Sequence, residues 1–260
     1  MVISRLFRKS APAPVVEPPR LPAGLRVYAI GDIHGRRDCF DDLLALIDRD
    51  SATATGEVQL ILLGDLIDRG PESRGVVERA MALAASDRIC HFIKGNHEEL
   101  LLHAAEGDRS ALSVFHRAGG RETLLSYGVD PDVYDACDFE QLAGLIRDAV
   151  PAEHLAFLDS FGNGVALGDY RFVHAGMRPG LPFDEQRESD LRWIRRDFLT
   201  YEGSFDGVVV HGHTISDAPE IRHNRIGIDT GAFASGRLTA LVLEGESQRI
   251  IESRKAPGNY

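Results

Sequence analysis

The sequence is poor in the features that usually assign a protein quickly. Its 260 residues hold three cysteines, three methionines and one tryptophan. Cys39, Cys90 and Cys137 are odd in number and lack CxxC spacing, which argues against a disulfide framework or a zinc knuckle and suits a reducing, cytoplasmic setting. Positive charge is also scarce: 29 Lys and Arg against 40 Asp and Glu leave a net charge of -11. A general nucleic-acid surface is thereby excluded, because phosphate backbones are held chiefly by clustered Lys and Arg. No stretch approaches the ~18 consecutive apolar residues of a membrane span. The basic start MVISRLFRK is interrupted by Arg5 and runs into the proline-rich APAPVVEPPRLP, so it reads as a flexible tail over 1–24 rather than a signal peptide. A weak amphipathic contact with a surface is the lesser reading of that start. Also missing are a GxxxxGK phosphate loop, a GxSxG elbow, a GxGxxG after a strand and the DxDxDG order of a calcium loop.

Glycine, by contrast, is plentiful: 26 of 260 residues, against a usual share of about 7%, predict many tight loops. Several of them close short β-branched runs: LRVYAIGD, VQLILLGD, ICHFIKGN, YRFVHAG, GVVVHGH, RIGIDTG and LTALVLEG. Such runs, bounded by turn residues, read as strands buried on both faces. Between the first three lie helical patterns. Cys39 to Asp50 puts Phe40, Leu43, Leu44 and Ile47 on one face, and Ser73 to Ser86 does the same with Val76, Val77, Ala80 and Leu83. Strand, helix, strand, helix, strand predicts an α/β sheet with crossovers. About 98–169 reads helical throughout and is taken as an insertion, after which strands return with little helix between them. The length suits one domain, 25–260.

In open α/β sheets, ligands bind beyond the carboxyl ends of the strands. Asp32 and His34 follow the first run; Asp65, Asp68 and Arg69 the second; Asn96, His97 and Glu98 the third. His174, His211, His213 and Asp229 follow later ones. Alone, each has a plainer reading, since an Asp in a strand-to-helix turn is first of all a helix N-cap. His91, His103, His116, His154 and His223 keep that plainer reading. As a set, carboxylates, an amide and imidazoles supply the ligands of a two-metal centre suited to manganese, iron or zinc.

The ordered series GDIHG, GDLIDRG, GNHE, HAG and HGHT resembles the phosphoprotein phosphatase branch of the calcineurin-like metallophosphoesterases, most of all its compact bacterial and phage serine/threonine type. The resemblance runs from about Val27 to Leu243. It implies an α/β/β/α fold, a β-sandwich flanked by helices, and two divalent metal ions, manganese first, with iron and zinc as the other candidates. By position, Asp32 and His34 resemble ligands of the first metal, Asp65 the bridging carboxylate, and Asn96, His174 and His213 ligands of the second. His211 is left to support. His97 resembles the general acid and Asp68 the group that orients its ring. Arg69, Arg195 and Asn96 resemble the phosphate-binding set, while Arg192 is read as a solvated surface residue.

The implied function is hydrolysis of phosphomonoesters on serine and threonine by attack of a dimetal-bound hydroxide. Its alternative is a symmetrical bis(5'-nucleosyl)-tetraphosphatase acting on diadenosine tetraphosphate, and a non-catalytic metal-binding scaffold ranks third. Asp68 and Glu98 are taken to favour the phosphoprotein reading. The expected partner is a phosphorylated protein, peptide or small phosphoester, with no nucleic acid and no membrane span.

Overall fold

The computed structural model describes residues 17–258. The first three apolar runs become β1 (Leu25–Ile30), β2 (Glu57–Leu62) and β3 (Ile89–Phe92), connected through α1 (Arg37–Ser51) and α2 (Ser73–Ala84). A helical stretch follows: α3 (Asn96–Ala105), α4 (Arg109–Arg117), α5 (Gly120–Ser126), α6 (Pro131–Ala136), α7 (Phe139–Ala149) and α8 (Ala152–Asp159). Strands return as β4 (Gly164–Leu167), β5 (Tyr170–Val173), β6 (Val208–His211), β7 (Glu220–Ile221), β8 (Arg225–Gly227), β9 (Arg237–Glu244) and β10 (Ser247–Arg254). Short helices α9 (Glu188–Trp193), α10 (Arg196–Leu199) and α11 (Ala232–Ser235) lie among them.

The strands form two five-stranded sheets, ordered β10-β9-β1-β2-β3 and β4-β5-β6-β8-β7. In the first, β1, β2 and β3 are parallel and β9 runs antiparallel to β1. In the second, β5, β6 and β8 are parallel. Alternation along each strand decides what it buries. Val27, Ala29 and Ile61 turn toward Tyr170, Phe172 and Val210 between the sheets. Tyr28, Ile30, Leu60 and Leu62 turn the other way, onto Phe40, Leu43, Ile47 and Val76 of α1 and α2. On the far side Val173 and Val209 pack against Leu191, Ile194 and Phe198. Each such fully buried side chain contributes about 1.5–3 kcal/mol. The result is the α/β/β/α layering, with two sheets flanked by helices.

Several boundaries move. The helical stretch spans 96–159, and the end of the expected insertion is β4, GVAL, an edge strand of four residues too short to stand out. β3 is an edge strand as well: Ile89 is exposed, so this run is not buried on both faces. β10, SQRIIESR, pairs along all of β9, yet its alternating polar residues hid it among surface segments. Of the tail expected over 1–24, residues 1–16 lie outside the described residues. Leu21 is buried and donates its N–H to the Gly245 carbonyl at 2.9 Å, so the chain joins the domain before β1. Among the described residues, no helix is long and apolar enough to cross a membrane.

Candidate metal centre

The turns after β1, β2, β3, β5 and β6 converge at one end of the sandwich, and they are sharp. The only non-glycine residues with positive φ among those described are His34, Asp65, Asp68, Arg69 and His213, all in these turns. Left-handed backbone costs roughly 1–2 kcal/mol per L-residue, so the surrounding packing must hold it. Two glycines make room for carboxylates. A Cβ on Gly95 would sit 2.1 Å from Asp65 Oδ1, and one on Gly212 would sit 2.0 Å from Asp32 Oδ1.

Asp65 lies at the centre. Its Oδ2 is 3.6 Å from His34 Nε2, 3.4 Å from His174 Nε2 and 3.8 Å from His97 Nε2. His34 Nδ1 faces the Ile67 carbonyl at 2.7 Å and His174 Nδ1 the Leu63 carbonyl at 2.8 Å. A carbonyl only accepts, so both rings carry their proton on Nδ1 and turn bare Nε2 lone pairs toward the carboxylate. Asn96 Oδ1 lies 2.9 Å from His174 Nε2 and 2.7 Å from His213 Nδ1. His34 Nε2 is buried without any hydrogen-bond partner. Converging acceptors without donors are what a cation satisfies.

Electrostatics sort the histidines into two kinds. Burial pushes His34 and His174 below the ordinary imidazole range, and it takes His213 down to about 2, so all three stay neutral and able to donate lone pairs. For His97, burial is outweighed by the carboxylates of Asp65 and Asp68, and its pKa is raised. Burial likewise opposes ionisation of Asp65, but His174 and His97 outweigh it and keep it ionised. Asp32 is pushed well above the carboxylate range by burial and by nearby Asp229 and Asp65. Burial lifts Asp229 to about 6. Two buried acids in this condition again signal missing positive charge.

Two sets of ligand atoms lie within 4.8 Å of one another: His34, Asp65 and His97, and Asp65, His174 and His213. They share Asp65. Asp32 falls outside both sets, with its oxygens 3.0 and 3.2 Å from the His213 N–H. The residues present therefore fit a pair of cations on either side of Asp65.

His97 stands between acid and base partners. Its Nδ1 is 2.6 Å from Asp68 Oδ2, and Arg69 Nη2 donates toward its Nε2 at 3.0 Å. Arg195 Nε donates to His213 Nε2 at 3.0 Å. The structure thus brings into one cluster the ten residues given metal, proton-transfer or phosphate roles from the sequence.

Thr123 and the bonds of Arg192 escaped the sequence, and Glu98, noted there, takes a supporting place. Thr123 of α5 takes the Asp68 N–H at 2.9 Å and donates its hydroxyl to Asp68 Oδ1 at 2.6 Å. Glu98, fully buried, accepts N–H groups of Asp65, Leu66 and Gly95, each at 2.8–2.9 Å, and so ties the β2 turn to the start of α3. Arg192 corrects its surface assignment: it is buried and bonded to Glu99, Asn163 and Glu188. Glu99 also accepts the indole N–H of Trp193, which locks α9 onto α3. Thr123 and Arg192 carry no local signature, since their partners Asp68 and Glu99 lie 55 and 93 residues away, whereas the Glu98 bond to Gly95 is a local helix-capping contact.

The chain is 30% identical over 231 residues to the asymmetrical bis(5'-nucleosyl)-tetraphosphatase PrpE of Halalkalibacterium halodurans, covering 82% of this chain and 87% of that one. It is 36% identical over 155 residues to a symmetrical bis(5'-nucleosyl)-tetraphosphatase of Delftia acidovorans, covering 60% of this chain and 46% of the relative, less than half its length. A crystal structure provisionally named a diadenosine tetraphosphatase superposes with a TM-score of 0.61 at 22% identity, over 91% of this chain and 97% of that one, which shows the shared fold.

The expected main reading, a serine/threonine phosphoprotein phosphatase, is overturned by these relatives, which carry tetraphosphatase names. The physical reason is plain in the site. Glu98 faces backbone N–H groups and Asp68 faces His97 and Thr123, so neither residue meets a substrate, and neither reports on one. The calcineurin-like phosphoesterase model matches residues 25–235, a span that takes in every turn of the cluster. With that match running from β1 to α11, the chain belongs to the calcineurin-like phosphoesterase family and is a metallophosphoesterase, a hydrolase for which the family implies divalent metal ions.

Proposed function

We propose that the chain is a bis(5'-nucleosyl)-tetraphosphatase, hydrolysing dinucleoside polyphosphates such as diadenosine tetraphosphate. The observation that carries this is the 30% identity to the asymmetrical enzyme along 87% of that enzyme's length. Symmetrical relatives match over a shorter span, so the longer match favours asymmetrical cleavage, to ATP and AMP.

In this reading Asp32, His34 and Asp65 would hold one cation, and Asp65, Asn96, His174 and His213 the other. Two such cations would supply the positive charge that neutralises a phosphoryl group and the Lewis acidity that acidifies water. The chain's own residues do the rest. Arg69 and Arg195 bind the oxygens of the phosphate under attack with the fork geometry that suits arginine. Arg69 leaves His97 Nε2 to do so, which frees that nitrogen to carry a proton to the departing oxygen. Asp68 holds the ring through Nδ1 and favours its protonated form. Asn96 would help hold the second cation through its Oδ1 and bind a phosphate oxygen through its amide N–H.

Chromatography of the products of diadenosine tetraphosphate tests this. ATP with AMP is expected; ADP alone would reassign the cleaved bond, and no nucleotide product with metal supplied would refute the substrate class.

A further inference from the structure

The proposed substrate brings more charge than the described cluster can meet. Every phosphate of a polyphosphate carries negative charge at neutral pH, yet Arg69 and Arg195 address only the one being cleaved. Elsewhere the chain is acidic, with a net charge of -11. A cavity of about 460 Å³ opens directly from Arg69, and its lining inverts that balance: Arg69, Arg117 and Arg121 against a single acid, Glu122. Phe233 also lines it, with its ring 4.9 Å from the Arg69 guanidinium carbon and edge-on against His34 at 5.6 Å. The cavity therefore touches both the cation-binding cluster and the phosphate-binding arginine.

Its floor is fixed to that cluster by backbone. The turn between α4 and α5 places Gly119 at φ +103, where its carbonyl accepts the Arg69 N–H at 3.0 Å. A Cβ at Gly119 would meet Arg69 N at 2.7 Å, so no larger residue fits without moving the turn. The two outer arginines differ. Arg121 is held by Asp135 through bonds of 2.8 and 2.9 Å, which directs it and offsets part of its charge. Arg117, at the end of α4, is exposed and has no side-chain hydrogen bond or ion pair among the described residues. An uncompensated arginine at the mouth of a cavity on an acidic protein is a site for an anion.

Resting on the tetraphosphatase reading, we propose that this cavity holds the part of a dinucleoside polyphosphate beyond the phosphate being cleaved, and that Arg117 selects polyphosphate chains over monoesters by binding a distal phosphate. The helical segment that carries Arg117 and Arg121 is then a specificity element.

The test compares diadenosine tetraphosphate with p-nitrophenyl phosphate, which has no second phosphate for Arg117 to bind, on the metal-loaded full chain. The readout is the ratio of the two kcat/KM values. Arg117→Ala is expected to lower that ratio about tenfold, through KM for the tetraphosphate, as loss of one charge-assisted hydrogen bond implies. Arg117→Glu is expected to lower it further, and Arg117→Lys to retain most of it. KM for the tetraphosphate should also rise less steeply with salt in Arg117→Ala than in the unmodified protein. Ratios within twofold of the unmodified protein for both Ala and Glu overturn the inference while leaving the substrate reading intact. Turnover of p-nitrophenyl phosphate without any of the tetraphosphate by the unmodified protein overturns both.

Discussion

Thr123 and Asp68 are bonded to each other twice: the Asp68 N–H donates to Thr123 Oγ1 at 2.9 Å, and the Thr123 hydroxyl donates to Asp68 Oδ1 at 2.6 Å. The second oxygen of the same carboxylate takes His97 at 2.6 Å. Helix α5 therefore reaches the reacting end of the site through one hydroxyl. Thr123→Val keeps the shape and removes both bonds. It should destabilise the fold by about 1–3 kcal/mol, the cost of buried groups left unpaired. It should also lower kcat, because the Asp68 carboxylate is no longer fixed. Urea unfolding and steady-state kinetics measure the two effects, and unchanged kcat would show that Asp68 needs no such support.

The role proposed for His97 makes its loss depend on the leaving group. A phenol has a pKa of about 10 and needs a proton to depart, whereas a departing phosphate, with a last pKa near 6, needs one less. His97→Asn should cost about 10²- to 10⁴-fold on phenyl phosphate. On diadenosine tetraphosphate the loss should be at least about tenfold smaller. Equal losses on both substrates would sink the acid assignment.

Chelation should abolish turnover and manganese restore it. Cations that bind only the folded chain stabilise it by about 2.7 kcal/mol at a hundredfold excess over Kd. For a chain of this size that is a rise in Tm of roughly 5–10 °C. In Asp65→Asn both the turnover and most of the thermal shift should disappear, since the shared ligand is gone; a full shift in that variant would remove Asp65 from its bridging place.

Asp229 gives a dependence on pH in the metal-free protein. Its pKa is lifted from the ordinary 3.8 to about 6 by burial. A raised folded-state pKa means stability that is present below pH 3.8 and lost as pH rises through 6, here on the order of 3 kcal/mol at 1.36 kcal/mol per unit. Asp229→Asn cannot ionise, so it should stabilise the metal-free protein at pH 8 relative to the unmodified chain and do so far less at pH 4. Equal effects at both values, measured by urea unfolding, would show that Asp229 does not carry this charge.

Much of the site was legible because the turns after parallel strands are short. Asp32 with His34, and Asp65 with Asp68 and Arg69, are neighbours in sequence, and strand order alone brings such turns to one end. What stayed hidden depends on contacts across the chain. Thr123 reaches Asp68 over 55 residues and looks like any helical threonine. Arg192 looked like a surface cation because its partners, Glu99 and Asn163, come from other elements. Substrate class was misjudged for a related reason. Asp68 and Glu98 were taken to favour a phosphoprotein, yet their bonds are to His97, Thr123 and backbone N–H groups.

The five left-handed residues of the metal centre set a limit on how this enzyme can be made more robust. Exchanging such a residue for glycine ordinarily relieves backbone strain, yet His34, Asp65, Asp68, Arg69 and His213 are the side chains the chemistry requires. The relief is closed off at every one of these positions. Thermostability in this protein must be sought far from the turns, in α1 and the outer strands β3 and β10, where sequence is free to change without touching the reaction.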